Sequence, residues 1–283
     1  MKQILEIIKV SRPGFWPTHV WFYLLPFAQI DMLQSVPFWL GGIYVCFPLG
    51  LLLYGWNDIG DSKTDALNAR KGNWLFGACP DESTRKKLPW IILAVQIPFM
   101  VLFVLLADWK MLGWFIGVCL FNVTYNNLGF KKIPVLDLLN QVGYLMIFVL
   151  GSWLCAVKQL NTPAMLFSAL FAMQSHLFGQ IMDVEEDQAA GRNTTAVAIG
   201  VRLSKWLLAG IMIAEAIIAS VYLNGYVVPA FMVCGGILFA VDAIVGPQKY
   251  PLKFLAVFFI GWNIAAIVSM HLVWRYGLFL LSE

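Results

Sequence analysis

Long apolar stretches, interrupted by short clusters of charge, set the pattern of this 283-residue chain. Runs of about 18 or more apolar residues recur along most of its length, each long enough to cross a hydrocarbon core of about 30 Å as a helix. The pattern predicts nine spans, near residues 16–33, 37–56, 89–107, 111–128, 135–156, 163–182, 205–223, 227–246 and 254–274. The expected fold class is therefore all-α: a polytopic membrane protein of about nine transmembrane helices in a single bundle, one domain over residues 1–283. The first run is of spanning length and lacks a small-residue cleavage pattern, so a retained helix is expected and not a cleaved signal.

Composition agrees. The chain is 60% hydrophobic and 12% charged, against about a quarter charged in soluble domains. The bilayer is its expected environment, and no nucleic-acid partner is expected. The five cysteines, Cys46, Cys79, Cys119, Cys155 and Cys234, show no CxxC or histidine pairing, so neither a disulfide framework nor a zinc site is indicated. The distribution of charge says more than its total. With the N-terminus in the cytoplasm, all of the 19 Lys and Arg except Lys110, Lys158 and Arg275 fall on the cytoplasmic side. That asymmetry sets orientation: N-terminus in, C-terminus out, in a cell inner membrane.

Two acidic clusters follow apolar spans on that same side. "YGWNDIGDSKTDALNARKG" (54–72) ends span 2, and "GQIMDVEEDQAAGRNTTAVAIG" (179–200) ends span 6. If the second helix continues through its cluster, Asp58, Asp61 and Asp65 lie at i, i+3 and i+7 on one face, with Asn57 at its border. On the sixth helix Asp183 and Asp187 are i and i+4, beside Glu186. Carboxylates crowded near a membrane repel one another and are expensive to desolvate, so a cation is expected among them. Magnesium suits carboxylate oxygens and completes its octahedron with water and substrate phosphate. The expected metal ligands are Asn57, Asp58, Asp61, Asp65, Asp183 and Asp187, of which Asp58, Asp61, Asp183 and Asp187 are also the catalytic candidates.

Basic residues on the same side are candidate phosphate binders: Arg70, Lys71, Lys131, Lys132 and Arg192. Acids and bases around one site describe a metal–diphosphate centre better than an ion path, whose acids belong near the midplane. Asn122, one turn from Tyr125 and four residues before Asn126, is a candidate pocket residue, with interhelical hydrogen bonding the plainer alternative. Glu215, within span 7, is an intramembrane acid with a functional or a packing role; His19 and His176 fit packing best, and Asp242 fits an interfacial position.

"NDIGDSKTD" fits the NDxxDxxxD pattern, and "DVEED" followed by "GRNTTAVAIG" fits the DxxxD pattern, of the UbiA superfamily of intramembrane prenyltransferases. "SRPGFWPT" at 11–18 and "TYNNLGFKKIPVLDLLN" at 124–140, which contains Tyr125 and Lys131, also resemble family segments. Within the superfamily the first motif is most similar to the lycopene elongase branch. The chain departs from the common pattern in two places. "NARKGNWLFGACPDES" stands where many members have Arg-Pro-Leu, and Tyr125–Gly129 replaces the Tyr-Ser-x-Pro-Pro type segment, which bears on the acceptor.

The resemblance implies a magnesium-dependent transferase that ionises an isoprenoid diphosphate donor and prenylates a lipophilic acceptor dissolved in the membrane, with the active site capped from the cytoplasmic side. Arg70, Lys71, Lys131 and Arg192, with Tyr125 and Asn122, would contact substrate. No Lys or Arg lies well inside a span, so a neutral acceptor, a polyene or quinone-type molecule, is expected; Arg12 is the one cation placed to hold an anionic one. The alternative is a terpene cyclase on the same scaffold, with the cation captured by the double bonds of its own chain.

Overall fold

In the computed structural model, the described residues are 2–61, 65, 67–277 and 279–280. Lys63, one of the loop cations counted in the orientation argument, lies outside them. Among the described residues the regular structure is helical, apart from an isolated bridge between Asn73 and Gly77 in a loop. A short helix α1 (Lys2–Val10) precedes nine helical segments that follow the predicted spans. These are α2 (Trp16–Leu24), α3 (Val36–Gly60), α4 (Glu82–Ala107), α5 (Lys110–Asn122), α6 (Leu136–Leu154), α7 (Thr162–Ala189), α8 (Thr195–Tyr222), α9 (Val227–Val245) and α10 (Leu252–Tyr276). Six of them, α3, α4, α6, α8, α9 and α10, are by length and composition able to cross a membrane. The protein is an integral membrane protein.

Polar side chains start several of these rods. Ser35, Asp81, Asn161 and Thr194 each accept a hydrogen bond from the backbone N–H three residues on, at α3, α4, α7 and α8. Such caps satisfy N–H groups that the first turn leaves without partners. The outer faces remain apolar: Leu105, Val245 and Val257 are each at least 70% exposed, as expected where lipid and not water is the solvent.

Three irregularities correct the periodic reading. Span 1 is not one long helix; Pro13 and Pro26 sit in 3-10 turns at either end of α2. In α3, Pro48 has no N–H to donate. The helix passes into a π-turn over Leu51–Gly55 and ends at Gly60. Gln96 of α4 stabilises this irregular stretch, donating to the Pro48 carbonyl at 2.8 Å and accepting from Tyr44 Oη at 2.7 Å. Helix α5 likewise ends in a π-turn, Val123–Asn127, which carries Tyr125 and Asn126. A π-turn advances the register by one residue and commonly marks functional sites. Here it re-aims the residues that follow, Asn57 and Asp58 in α3. Third, α8 begins ten residues before its predicted span, with a break at Gly200 (φ 80°, ψ 159°). Lys205, counted above as a loop cation, is consequently buried within it and pairs with Asp242 at 2.8 Å.

The core is a sheath of aromatics and branched residues from α2, α3, α5, α6 and α7, including Phe22, Tyr44, Leu49, Trp114, Phe148 and Phe167. A smaller cluster, Leu177, Ile181, Val184, Ala196, Val201 and Leu208, joins α7 to α8. A cavity lined by residues of both reaches the α3 and α7 ends that bear the acidic clusters.

Candidate active site

Asp61 is where the one-face expectation fails and the site begins. It follows the last residue of α3 and leaves helical geometry (φ −101°, ψ 18°). The chain is tied back by a hydrogen bond from the Asp65 N–H to the Asp61 carbonyl, 2.9 Å. The continuous α3 face therefore stops at Gly60, and Asp61 and Asp65 join the cluster beyond it. All three carboxylates are buried: Asp58 at 0%, Asp61 at 5% and Asp65 at 6% exposure.

Each meets cations of the protein. Asp58 Oδ1 accepts from Arg12 at 3.1 Å and from Lys71 at 2.8 Å, and Lys71 reaches Asp65 at 2.9 Å. Asp61 Oδ1 accepts from Lys131 at 2.6 Å and Arg192 at 2.7 Å. Lys131 Nζ also donates to Asn57 and Asn126, both at 3.1 Å. On α7, Asp183 pairs with Arg70 and accepts from Asn68 at 3.0 Å, while Asp187 lies 3.4 Å from Arg192. Arg192 thus touches both acidic clusters, and Lys131 fastens the α5–α6 loop to the first. Lys132 shows no corresponding contact among the described residues.

Electrostatics divides the acids. Burial by itself would raise Asp61, but Lys131 and Arg192 outweigh it and hold the carboxyl below its ordinary range. For Asp187, beyond the predicted span, burial prevails over Arg192; with Asp183 adding repulsion, its pKa is pushed up to about 6. Asp65 is also raised, by burial against the pull of Lys71, with Asp58 adding to the rise.

Do these residues fit magnesium? Among the described residues no three acids, histidines or cysteines converge as a preformed metal cage. The donor set nevertheless suits the ion. Asp58 and Asp65 each keep a buried second oxygen, Oδ2, with no hydrogen-bond partner, a condition that is costly in a native interior. Magnesium seldom takes an all-protein cage; it uses one or two carboxylates and completes its shell with water and phosphate. The free oxygens of the first cluster, with Asn57, Asp61, Asp183 and Asp187 nearby, meet that requirement.

Above this ionic mouth the cavity, about 380 Å³, becomes apolar and aromatic. Phe22, Leu53, Trp114, Phe121, Met212 and Trp262 line it, along with Tyr54, Tyr125, Tyr144 and His176. Tyr125 Oη lies 3.3 Å from His176 Nε2. Asn122 lines the cavity, as one of its two expected roles had it; its amide donates to the Val118 carbonyl of its own helix at 3.0 Å and not to another helix. Glu215 is fully buried outside the lining, and both of its oxygens lack a partner.

Arg12 is a member of the mouth. Its backbone is left-handed (φ 53°), immediately before the Pro13 turn. Its guanidinium lies 4.5 Å over the Tyr54 ring, against Asp58. Gly77, at φ 99°, lets the following loop close on it, since a Cβ there would come within 2.8 Å of Arg12 Cγ. The cation held in reserve for an anionic acceptor is therefore already engaged.

Asp137 was not singled out by pattern. It is fully buried and accepts from Thr195 N and Gln180 Nε2 at 2.6 Å, and from Thr195 Oγ1 at 2.5 Å. It thereby clamps the loop bearing Lys131 to the start of α8, beside Arg192. Asn68 was likewise unforeseen. Only a carboxylate followed by an apolar run marked Asp137, and nothing local marked Asn68.

Comparison with known proteins bears on the family and the fold. Lycopene elongase/hydratase of Corynebacterium glutamicum is 28% identical over 211 residues, covering 71% of this chain and 72% of the relative. The protein of the same name from Haloferax volcanii is 26% identical over 227 residues, covering 76% and 72%. In fold, the chain is similar to a UbiA homolog from Archaeoglobus fulgidus bound to DMAPP and Mg2+, with a TM-score of 0.65 at 16% identity over 93% of this chain and 99% of that one. The UbiA prenyltransferase family profile matches residues 15–260, and the chain belongs to that family.

Proposed function

We propose that the protein is a magnesium-dependent intramembrane prenyltransferase. It takes an isoprenoid diphosphate at the ionic mouth and prenylates a neutral, lipophilic acceptor, a linear polyene before a quinone-type molecule, in the aromatic cavity. The observation that carries this reading is the continuity of one cavity from clustered carboxylates and cations into an apolar, aromatic interior. Asp58, Asp61 and Asp65, with Asn57, and Asp183 and Asp187 across the mouth, would hold magnesium; when bound it neutralises charge developing on the leaving diphosphate. Lys131, Arg192, Arg70 and Lys71 are poised to move part of their pairing from carboxylate to diphosphate, adding preorganised electrostatic stabilisation. The aromatic faces above can stabilise an allylic cation by about 1–2 kcal/mol where desolvated, and the apolar walls keep water from it.

The neutral acceptor follows from a census of cations. Among the described residues, every Lys and Arg lining the cavity (Arg12, Arg70, Lys71, Lys131, Arg192) already pairs with a carboxylate. With the diphosphate drawing on four of these cations and Arg12 held by Asp58, an acceptor carboxylate would be buried without a partner, which is costly. The names of the lycopene elongase relatives point the same way. The orientation proposed from the charge asymmetry places the mouth in the cytoplasm, with the whole chain acting as one domain in the inner membrane.

The test is a competition. Purified protein receives labelled geranylgeranyl diphosphate, magnesium, and lycopene, a neutral quinol and 4-hydroxybenzoate in detergent. Lycopene should be prenylated fastest. Preferential prenylation of the benzoate would overturn the neutral-acceptor reading, and a cyclic hydrocarbon formed without any acceptor would make the protein a terpene cyclase.

A further inference from the structure

The cavity contains a second polar feature, distinct from the ionic mouth. His19 is fully buried behind the lining. Its Nδ1 lies 2.9 Å from the Val45 carbonyl, and its Nε2 lies 3.1 Å from Tyr54 Oη. Tyr54 Oη in turn lies 3.1 Å from Tyr144 Oη, and both tyrosines line the cavity. The partners fix the direction of this chain. A carbonyl only accepts, so Nδ1 carries the hydrogen, and the neutral ring presents Nε2 as an acceptor. Tyr54 must then donate to His19, which leaves Tyr54 Oη to accept from Tyr144. The two tyrosine hydrogen bonds thus run away from the cavity, toward the imidazole, and the third, from Nδ1–H to the Val45 carbonyl, anchors the ring.

We propose that Tyr144, Tyr54 and His19 form the proton-accepting relay that ends the prenyl transfer, with Tyr144 as the group that meets the substrate. The inference rests on the prenyltransferase reading and adds the base that reading lacks. The donor's C1–oxygen bond breaks and its electron pair leaves with the diphosphate. A carbon of the acceptor double bond then supplies the pair for the new bond to C1, and its former partner carbon becomes cationic. A C–H bond next to that carbon breaks, its electrons forming the product double bond. Its proton goes to Tyr144 Oη as Tyr144 passes its own to Tyr54 and Tyr54 passes one to His19 Nε2. The imidazolium returns the proton along the same chain to water once product leaves.

Placement supports this role. Arg12, which lies over the Tyr54 ring, is paired with Asp58, so the phenol spans from the ionic mouth into the apolar cavity. The middle of the relay, Tyr54, therefore lies beside the ionic mouth, Tyr144 lines the same cavity, and the terminal base, His19, is closed off from solvent.

His19→Gln separates a relay from a packing role. A glutamine amide can donate to Val45 and accept from Tyr54, keeping both hydrogen bonds, but it is not a proton acceptor of comparable basicity. With geranylgeranyl diphosphate, magnesium and lycopene, His19→Gln should lower elongated product by about 10²-fold, the lower end of general-base contributions. Diphosphate release should fall far less, and water-captured donor alcohol should accumulate. Tyr144→Phe, which cuts the chain at the cavity, should give the same split. Elongation by His19→Gln at the wild-type rate would overturn the relay alone. So would parallel loss of diphosphate release, product and thermal stability in both variants. A wild-type protein that releases diphosphate but never prenylates lycopene or the quinol would overturn the prenyltransferase reading, and the relay with it.

Discussion

The two acidic clusters face one another across the same mouth, yet they are built differently. The first lies where α3 has passed through a π-turn and stopped; its carboxylates are almost fully buried, and Asp58 and Asp61 each hold two cations. The second rides on the unbroken α7; the Asp183 side chain is 26% exposed, and Asp183 and Asp187 have one arginine each. A carboxylate enclosed with two cations supports the fold as well as a ligand. One at a half-open helix end is freer to exchange its partner for metal. The first cluster should therefore couple stability to activity, whereas half-open Asp183 should affect activity with little effect on stability; Asp187, 5% exposed, is buried against a single arginine and should cost stability when charged.

Removing the metal has the largest expected effect and tests what the clusters share. Chelation should abolish diphosphate release, while thermal stability changes little because protein cations already neutralise the acids. A large fall in melting temperature on chelation would mean that the ion is structural.

Next, Asp61→Ala and Asp183→Ala break the comparison directly. Each should lower diphosphate release by about 10²–10³-fold, the range for losing one preorganised electrostatic element. Asp61→Ala should also cost about 3–5 kcal/mol of stability, since Lys131 and Arg192 lose their buried partner. Asp183→Ala should cost about 1 kcal/mol or less, because its pair is partly solvated. Equal losses of melting temperature would erase the distinction.

Arg192 joins the clusters through two nitrogens, Nη2 toward Asp61 and Nη1 toward Asp187. Lysine offers a single charged centre and cannot bridge in that way. Arg192→Lys should raise the KM for the diphosphate donor about tenfold, equivalent to about 1.4 kcal/mol, and leave the acceptor's KM nearly unchanged. Equal effects on both substrates would make Arg192 a general anchor of the fold.

A pH-dependent change in stability, read apart from activity, is the most diagnostic of the second cluster. Asp187 has a folded pKa of about 6, above its unfolded value. Its charged form is thus disfavoured by folding; it costs stability above pH 6, and the cost disappears as pH falls toward the unfolded pKa. In chelator at pH 7, Asp187→Asn should therefore be more stable than the parent, by up to about 3 kcal/mol, with the difference shrinking toward pH 4, and it should be less active. A lower melting temperature at pH 7 would show that the Arg192 pair outweighs the desolvation. At Asp61, held below its ordinary pKa, the sign reverses: stability is present at neutral pH and lost on acidification through the folded pKa.

What the sequence could determine by itself followed from quantities that are local along the chain. Apolar run length identified the membrane class and nine helical segments, because crossing about 30 Å of hydrocarbon imposes a length on each helix. The spacing of Asp58, Asp61, Asp183 and Asp187 identified the two clusters, and their resemblance to UbiA motifs identified the family. Tertiary structure alone decided what depends on register and partnership. Pro48 and the π-turn after it shift the phase of α3, so counting by 3.6 could not foresee that α3 ends at Gly60 and that Asp61 and Asp65 lie beyond it, joined by a backbone hydrogen bond. The same counting could not bring Lys205 into α8 or Arg12 over Tyr54. Asp137 with Thr195, Lys131 with Asp61, and His19 with Tyr54 and Tyr144 join residues 35 to 90 positions apart or more distant in role than in space. A hydrogen bond carries no trace in composition or period until folding brings donor and acceptor within about 3 Å.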